Sequence, residues 1–389
     1  MNRRVRFATM GQFVEPRRVS ETGEGLTVND IDALRKSIVG CLIGTAVGDA
    51  LGLPYEGLPP GRAKRLLGAP ERHRFAVGRG MVSDDTEHTC FVAQSLLESG
   101  GDVERFERCL MRRLRWWLIG LPAGVGKATA RACLKMWLGC GPRRCGVFSA
   151  GNGPAMRAAI LGAAVGDRSE MIGLVRASSR MTHTDPKAVQ GALVVALAAR
   201  RAAWGPGTDA RQWFDEVCEV FGTEGAEFLA LVRRAVESVE AGEPTAEFAA
   251  SMGLGRGVTG YTLHTVPVAI HAWLASPADY RVAVTSIIQC GGDADTTAAI
   301  VGGIVGAGVG EKGIPKEWIE GLWEWPRDVE WMRTLGIGLA DSIDGDASVT
   351  APAVKPGLVL IRNTFFLIIV LLHGFRRLAP PYSRRGTVV

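Results

Sequence analysis

Two short runs of acidic and hydroxyl residues could do chemistry: Ser83-Asp84-Asp85-Thr86 and Asp293-Ala294-Asp295-Thr296-Thr297. Each stands just ahead of an apolar stretch with helical spacing, Thr86–Glu98 in one case and a small-residue row from Ala298 in the other. Helix capping is the simple reading, because Asp, Ser and Thr satisfy free N–H groups at a helix start and carboxylates suit the dipole there. Capping uses one side chain, however, and neighbouring carboxylates repel unless a cation or a proton intervenes. Hard oxygen donors without a cysteine or histidine pair suit Mg²⁺ or Mn²⁺ and not zinc. Four carboxylates on two segments suffice to hold two such cations through shared groups.

Three further segments carry glycine next to functional side chains. Gly44-Thr45-Ala46-Val47-Gly48-Asp49-Ala50-Leu51-Gly52-Leu53-Pro54-Tyr55-Glu56 is the first, Gly151-Asn152-Gly153-Pro154-Ala155-Met156-Arg157 the second and Thr182-His183-Thr184-Asp185-Pro186 the third. Gly151-Asn152-Gly153, leading into a helical pattern, would present backbone N–H groups to a diphosphate; the plainer reading is an Asn-Gly turn. A lone His183 fits a packed core histidine, but Thr182 and Pro186 at a helix start favour a role in the site. His88 fits a packed helix face equally well and is left out. Gly120 to Ala128 looks like a phosphate loop, yet its spacing is one residue too long and Ala128 replaces the required Ser or Thr.

All five blocks, in this order and spread over residues 37–310, resemble the ADP-ribosylglycohydrolases, a family that includes the dinitrogenase reductase-activating glycohydrolases and the ADP-ribosyl-acceptor hydrolases. The resemblance implies an all-helical fold with two Mg²⁺ or Mn²⁺ ions at the base of an ADP-ribose cleft. It also implies a substrate containing ADP-ribose, as a modified protein or a small molecule. The family's first metal motif is usually Thr-Asp-Asp-Thr; Ser83 keeps the hydroxyl with less rotamer restriction. Carried over residue by residue, the metal ligands are Ser83, Asp84, Asp85, Asp293, Asp295 and Thr296. Glu56 matches a glutamate that approaches or leaves the metals with the entrance loop. His183 matches a histidine near the ribose, and Ser149 and Asn152 match residues around the distal ribose and diphosphate, beside Gly151 and Gly153. The implied reaction is hydrolysis of an N- or O-glycosidic bond, with Glu56, Asp84, Asp85 or Asp293 as the base and the acceptor linkage open. Two rivals stand beside it: a non-catalytic ADP-ribose-binding or structural relative, and a dimetal phosphoester hydrolase.

The elements that must position these groups read as helices. Apolar residues recur at helical spacing over Asp32–Gly52, Val103–Leu118, Ala128–Leu138, Met156–Gly166, Met171–Ser179, Pro186–Trp204, Gln212–Phe221, Gly225–Ala241 and Tyr261–Leu274, while strand alternation is almost absent. Gly40, Gly44, Gly48 and Gly52 form one i, i+4 row, and Ala298, Gly302, Gly306 and Gly310 form another. Each helical glycine costs about 1 kcal/mol against alanine, so close packing of two central helices is the expected offset. The predicted fold is all-α, a compact orthogonal multi-helix domain over 34–340, with a polar lead-in at 1–33 and a linker plus basic, apolar tail at 341–389.

Composition narrows the function further. The net charge of +5 resides in the tail: residues 351–389 hold six basic and no acidic groups, leaving 39 basic and 40 acidic groups elsewhere. Nucleic acid is therefore not expected as the main partner. Eight scattered cysteines without a C-x-x-C pair fit reduced thiols and a cytoplasmic location. Met1–Val14 lacks the apolar core of a secretory signal. The uninterrupted apolar run Phe365–Leu372 is eight residues, too short for a membrane span, which needs about 20. Packing against the body, or against a second copy in a homo-oligomer, is the expectation for this tail; an interfacial anchor flanked by Arg376 and Arg377 is the alternative.

Overall fold

The structure is a computed structural model that describes residues 27–205, 209–222, 224–346 and 348–378. Most of the 1–33 lead-in and the last eleven residues, with Arg384 and Arg385, lie outside them. Among these residues eighteen α-helices follow in order: α1 Val28–Gly52, α2 Pro60–Leu67, α3 Asp84–Ser99, α4 Val103–Ile119, α5 Lys127–Trp137, α6 Gly153–Met156, α7 Ala159–Ala164, α8 Arg168–Arg180 and α9 Pro186–Trp204. Then come α10 Ala210–Phe221, α11 Ala226–Glu240, α12 Thr245–Ser251, α13 Thr262–Ala275, α14 Tyr280–Gln289, α15 Ala294–Val309, α16 Lys316–Glu320, α17 Val329–Ile343 and α18 Pro356–Leu378. Among the described residues no strand forms; the extended segments meet only as isolated bridges. The fold is all-α, as the periodicity predicts.

Local chemistry sets the helix starts. Aspartate caps recur: Asp102 accepts from Arg105 N, Asp167 from Glu170 N, Asp185 from Lys187 N and Asp328 from Trp331 N. α1 starts at Val28, ahead of the expected Asp32, because Thr27 and Asp30 form a reciprocal capping box. The single helix expected over Met156–Gly166 is instead two short ones. Arg157, at φ −108° and ψ 10°, interrupts them, and its guanidinium is drawn inward to Ser178, Thr182 and the Gly153 carbonyl.

The two small-residue rows meet. α1 and α15 run antiparallel through the centre of the core, enclosed by α3, α7, α9, α13, α14 and α17. A Cβ added at Gly40, Gly44, Gly48 or Gly52 would overlap the carbonyl oxygen of Gly306, Gly302, Ala298 or Ala294 respectively. This seam brings carbonyl oxygens against Cα hydrogens, contacts of about 0.5–1 kcal/mol each, which offset the helix penalty of glycine.

The tail forms α18, which lies outside this core. Its Phe366 packs with Leu53, Phe75, Ala76 and Met81 in a second apolar cluster. By length and mean hydropathy Pro356–Phe375 is apolar enough to cross a membrane, more so than the eight-residue run implies; the other segment that passes the same test, Val28–Tyr55, has its apolar stretch buried in the core.

Candidate functional site

The site lies where the C-terminal end of α1 meets the N-termini of α3 and α15. Thr296 Oγ1 donates to Asp85 Oδ2 at 3.2 Å, joining the two acidic motifs across 211 residues. Ser83 Oγ donates to the same oxygen at 3.0 Å. Asp85, Asp295, Ser83 and Thr296 are buried, whereas Asp84 and Asp293 are half-buried. Two helix N-termini therefore point their partial positive charge at one group of carboxylates.

Capping accounts for little of this. Ser83 does cap α3, accepting from Asp85 N at 3.3 Å. Asp293 stands at the N-cap position of α15 but makes no capping hydrogen bond. Its Oδ2 accepts instead from Asn152 Nδ2 at 2.6 Å. Asp293 is thus held by a side chain from another loop and makes no backbone cap to its own helix.

Those loops are stitched together through the backbone. Gly57 N donates to Gly292 O, Gly292 N to Leu58 O and Asp293 N to Val258 O, at 2.6, 2.9 and 2.8 Å. Gly291 and Gly292 have φ of 67° and 78°, a region that favours glycine, and a Cβ on Gly292 would overlap Val258 O. Asn152 N donates to Gly260 O, and Thr262 N to Ala150 O. Val147 N and Thr184 N bond Thr182 O and Val147 O, which carries His183 to the same place. The segment Val258–Tyr261 has no charged residue and no acid–hydroxyl pattern, so nothing in its sequence marks it as part of the site.

The structure brings together Ser83, Asp85 and Thr296 directly, and Asn152 with Asp293. Gly151 and Gly153 meet His183: a Cβ on Gly153 would come within 2.9 Å of His183 Cε1 and one on Gly151 within 3.1 Å of Nε2. Their lack of a side chain lets the ring approach. Gly151 N donates to Ser149 Oγ, so this N–H and that of Asn152 are engaged within the protein. Glu56 is exposed at the end of the Leu53–Tyr55 turn, and its charge acts on both Asp295 and Asp84. His88 is buried against Trp117 and Phe91, as its helix-face position allows. Glu87 is engaged by Trp117 Nε1 and Arg327, and its charge acts on Asp84.

Two supporting residues escaped the sequence reading although both stand inside quoted blocks. Asp49 is fully buried, and its Oδ2 accepts from Ser83 N, Thr86 N and Thr86 Oγ1 at 2.9, 3.2 and 2.6 Å. Arg157 is also fully buried and bonds Thr182 Oγ1, itself 2.9 Å from His183 Nδ1. The only available signal was a charged residue within an otherwise small or apolar segment.

Electrostatics fit a site designed for positive charge. Burial pushes Asp84, Asp85 and Asp295 well above the ordinary carboxylate range, and neighbouring carboxylates push the same way. Burial likewise raises Asp293, and Asp49 to about 6. His183 is lowered to about 3, by burial first and by Arg157 second, so the imidazole is neutral at neutral pH. Among the described residues no three Asp, Glu, His or Cys groups converge as a preformed chelating set. The fit to a cation rests instead on the donor type and on unmet demand: Oδ1 of Asp49, Asp85 and Asp295 are buried oxygens without a hydrogen-bond partner.

The profile of the ADP-ribosylglycohydrolase family matches residues 30–349. The chain belongs to that family. ADP-ribosyl-[dinitrogen reductase] glycohydrolase of Rhodospirillum rubrum is 27% identical over 73% of this chain and 89% of its own length. ADP-ribosylhydrolase ARH3 of Gallus gallus is 26% identical over 72% of this chain and 87% of its own. An uncharacterized protein of Archaeoglobus fulgidus reaches 32% identity over 77% of this chain and 94% of its own. A solved ADP-ribosylglycohydrolase-related protein complex superposes with a TM-score of 0.57 at 27% identity, covering 80% of this chain and 99% of that one. The chain is accordingly an ADP-ribosylglycohydrolase-type hydrolase.

Proposed function

We propose that this protein hydrolyses the N- or O-glycosidic bond of an ADP-ribosyl group, on a modified protein or a small molecule, with two Mg²⁺ or Mn²⁺ ions. The observation that carries the reading is the junction of Thr296 and Asp85, which gathers two acidic motifs around unpartnered carboxylate oxygens. Ser83, Asp84, Asp85, Asp293, Asp295 and Thr296 would hold the ions. Bound there, divalent cations supply Lewis acidity that brings a water's pKa toward neutrality.

The protein's own groups supply the rest. Carboxylates around the anomeric carbon stabilise the positive charge that develops on the ribose as the bond breaks. Asp49 fixes the start of α3, so that Ser83 and Asp85 face the cluster. The neutral His183 ring, held through Thr182 and Arg157, offers a ring nitrogen to a ribose hydroxyl. Asn152 orients Asp293, and Ser149 with the Gly151–Gly153 loop lines the side where the diphosphate would lie. Glu56, exposed and electrostatically tied to Asp295, is placed to take the proton from the attacking water; Asp84, Asp85 and Asp293 are the other bases within the cluster. The free cysteines, six of them buried, support work in a reducing cytoplasm.

The test is incubation with ADP-ribosylated arginine, ADP-ribosylated serine peptide and O-acetyl-ADP-ribose, with Mg²⁺ or Mn²⁺, and identification of the products by mass. Intact ADP-ribose, lost on EDTA treatment, supports the reading. Release of phosphate would mean a phosphoesterase, and no turnover of any substrate a non-catalytic relative.

A further inference from the structure

The helix α18 lies beyond the family-matched residues 30–349 and has two unlike faces. The inner face meets the body through the apolar contact of Phe366 and through two buried polar side chains. Arg362, fully paired, donates to both oxygens of Glu324 and to Val82 O, at 2.6–2.8 Å. Asn363 Nδ2 donates to Gly120 O at 2.7 Å. Both side chains of the Arg362–Glu324 pair are only 4% exposed, and the Arg362 guanidinium also lies over the Phe366 ring.

The outer face is apolar and open. Ile361, Leu372 and Phe375 are 60%, 63% and 68% exposed, and Leu358, Ile368 and Leu371 lie exposed on the same side. A 23-residue helix is about 34 Å long, so this is a continuous greasy surface rather than scattered residues. Trp323, itself 45% exposed, flanks it with its ring 5.4 Å from Phe365. The sequence that ends the helix is basic: Arg376 and Arg377, then Arg384 and Arg385, with no acidic residue after Asp346.

We propose that α18 attaches the protein to the surface of an anionic lipid bilayer, lying in the interface with its outer face among the acyl chains. An amphipathic helix with one apolar face, an aromatic neighbour and clustered arginines fits headgroup phosphates above hydrocarbon. Charge complementarity selects this occupant over pairing with the α18 of a second copy, whose segment after Asp346 brings the same unbalanced arginines and no carboxylate to meet them. Spanning the bilayer is opposed by Arg362 and Asn363: to cross, the helix would leave Glu324 buried without its counter-ion and carry an arginine into hydrocarbon. The attachment is therefore peripheral.

The full-length protein is sedimented with vesicles of phosphatidylcholine, or of phosphatidylcholine with a third replaced by phosphatidylglycerol. Binding to the anionic vesicles, weakened by salt, is expected. Ile361→Asp, Ile368→Asp and Leu372→Asp together should lower partitioning at least about 100-fold. Arg376→Ser with Arg377→Ser should lower it about 30-fold, on anionic vesicles only. Neither variant should alter release of ADP-ribose from a soluble substrate, so this test fails or succeeds independently of the proposed reaction. Three outcomes would overturn it: no binding to anionic vesicles, a dimer in light scattering that the aspartate variant dissociates, or a cellular membrane fraction that alkaline carbonate does not strip.

Discussion

Thr86 gives its hydroxyl hydrogen to Asp49 at 2.6 Å, a bond that spans 37 residues and ties the last turn of α1 to the first turn of α3. Two backbone N–H groups, of Ser83 and Thr86, converge on the same carboxylate oxygen. Asp49 holds the first acidic motif from behind and its second oxygen is unpartnered. Replacing it as Asp49→Asn keeps the shape but puts a weaker acceptor before three donors. Supporting residues of this kind typically contribute 10–100-fold to metal affinity, and a loss of about that size is expected for Mn²⁺ in calorimetric titration, with helix content retained. Unchanged affinity would remove Asp49 from the site.

Cation binding should weaken on acidification. The carboxyls of Asp84, Asp85 and Asp295 have folded-state pKa values raised above their unfolded ones. In the cation-free protein their contribution to stability is present at low pH and is lost as pH rises through the raised values. Cations need the ionised groups, so binding releases protons and offsets this loss most at higher pH. The rise in Tm on adding Mn²⁺ is expected to be larger near about pH 8 than near about pH 6. Asp295→Ala should abolish both that rise and turnover, while the cation-free protein stays at least as stable because one like charge is gone.

The glycine seam makes a prediction with an internal control. Gly44→Ala would push a methyl into the Gly302 carbonyl of a rigid helix, and a loss of about 3 kcal/mol or more is expected, up to failure to fold. Gly173, inside α8, has nothing within 4 Å of its added Cβ. Gly173→Ala should stabilise by up to about 1 kcal/mol. Urea unfolding of both variants measures the pair, and equal effects would contradict the seam.

Acid should also weaken the fold at His271, away from the site. Its ring is buried between Ser238 and Thr245, stacked on Phe248 at 4.7 Å, and burial lowers it to about 4. The unfolded chain binds the proton from about pH 6.5 downward. Its contribution is therefore complete above that value and is lost at about 1.4 kcal/mol per unit as pH falls toward the folded value. His271→Gln should flatten the fall in stability between about pH 6.5 and about pH 4.5, read by urea unfolding against the parent protein.

Much of this was legible in the chain because it is periodic or chemically marked. The glycine rows at spacing four announced two helices in close contact, since no other role offsets so many helical glycines. Acidic pairs with hydroxyls stood out as more than helix caps, because capping uses only one of them. What was not legible depends on three dimensions. Asp49 reads as one polar residue in a buried helix until Ser83 and Thr86 are folded onto it. Arg157 reads as ordinary helix until its inward guanidinium breaks the segment in two. Val258–Tyr261 contributes only backbone to the site, and backbone groups have no letter in the sequence. The outer face of α18 was masked by Arg362 and Asn363, which interrupt the apolar run without interrupting the face.

Because α1 and α15 are locked tooth to tooth along their whole contact, they act as a pair of rulers laid in opposite directions. Asp49 is graduated on one and Asp295 on the other. Deleting a single residue from either rod would turn its far end by about 100° and draw it back by about 1.5 Å. Chain-length variation among relatives is therefore expected to be absent from these two segments and to accumulate in the surface loops between the outer helices, where nothing keeps time with the acids.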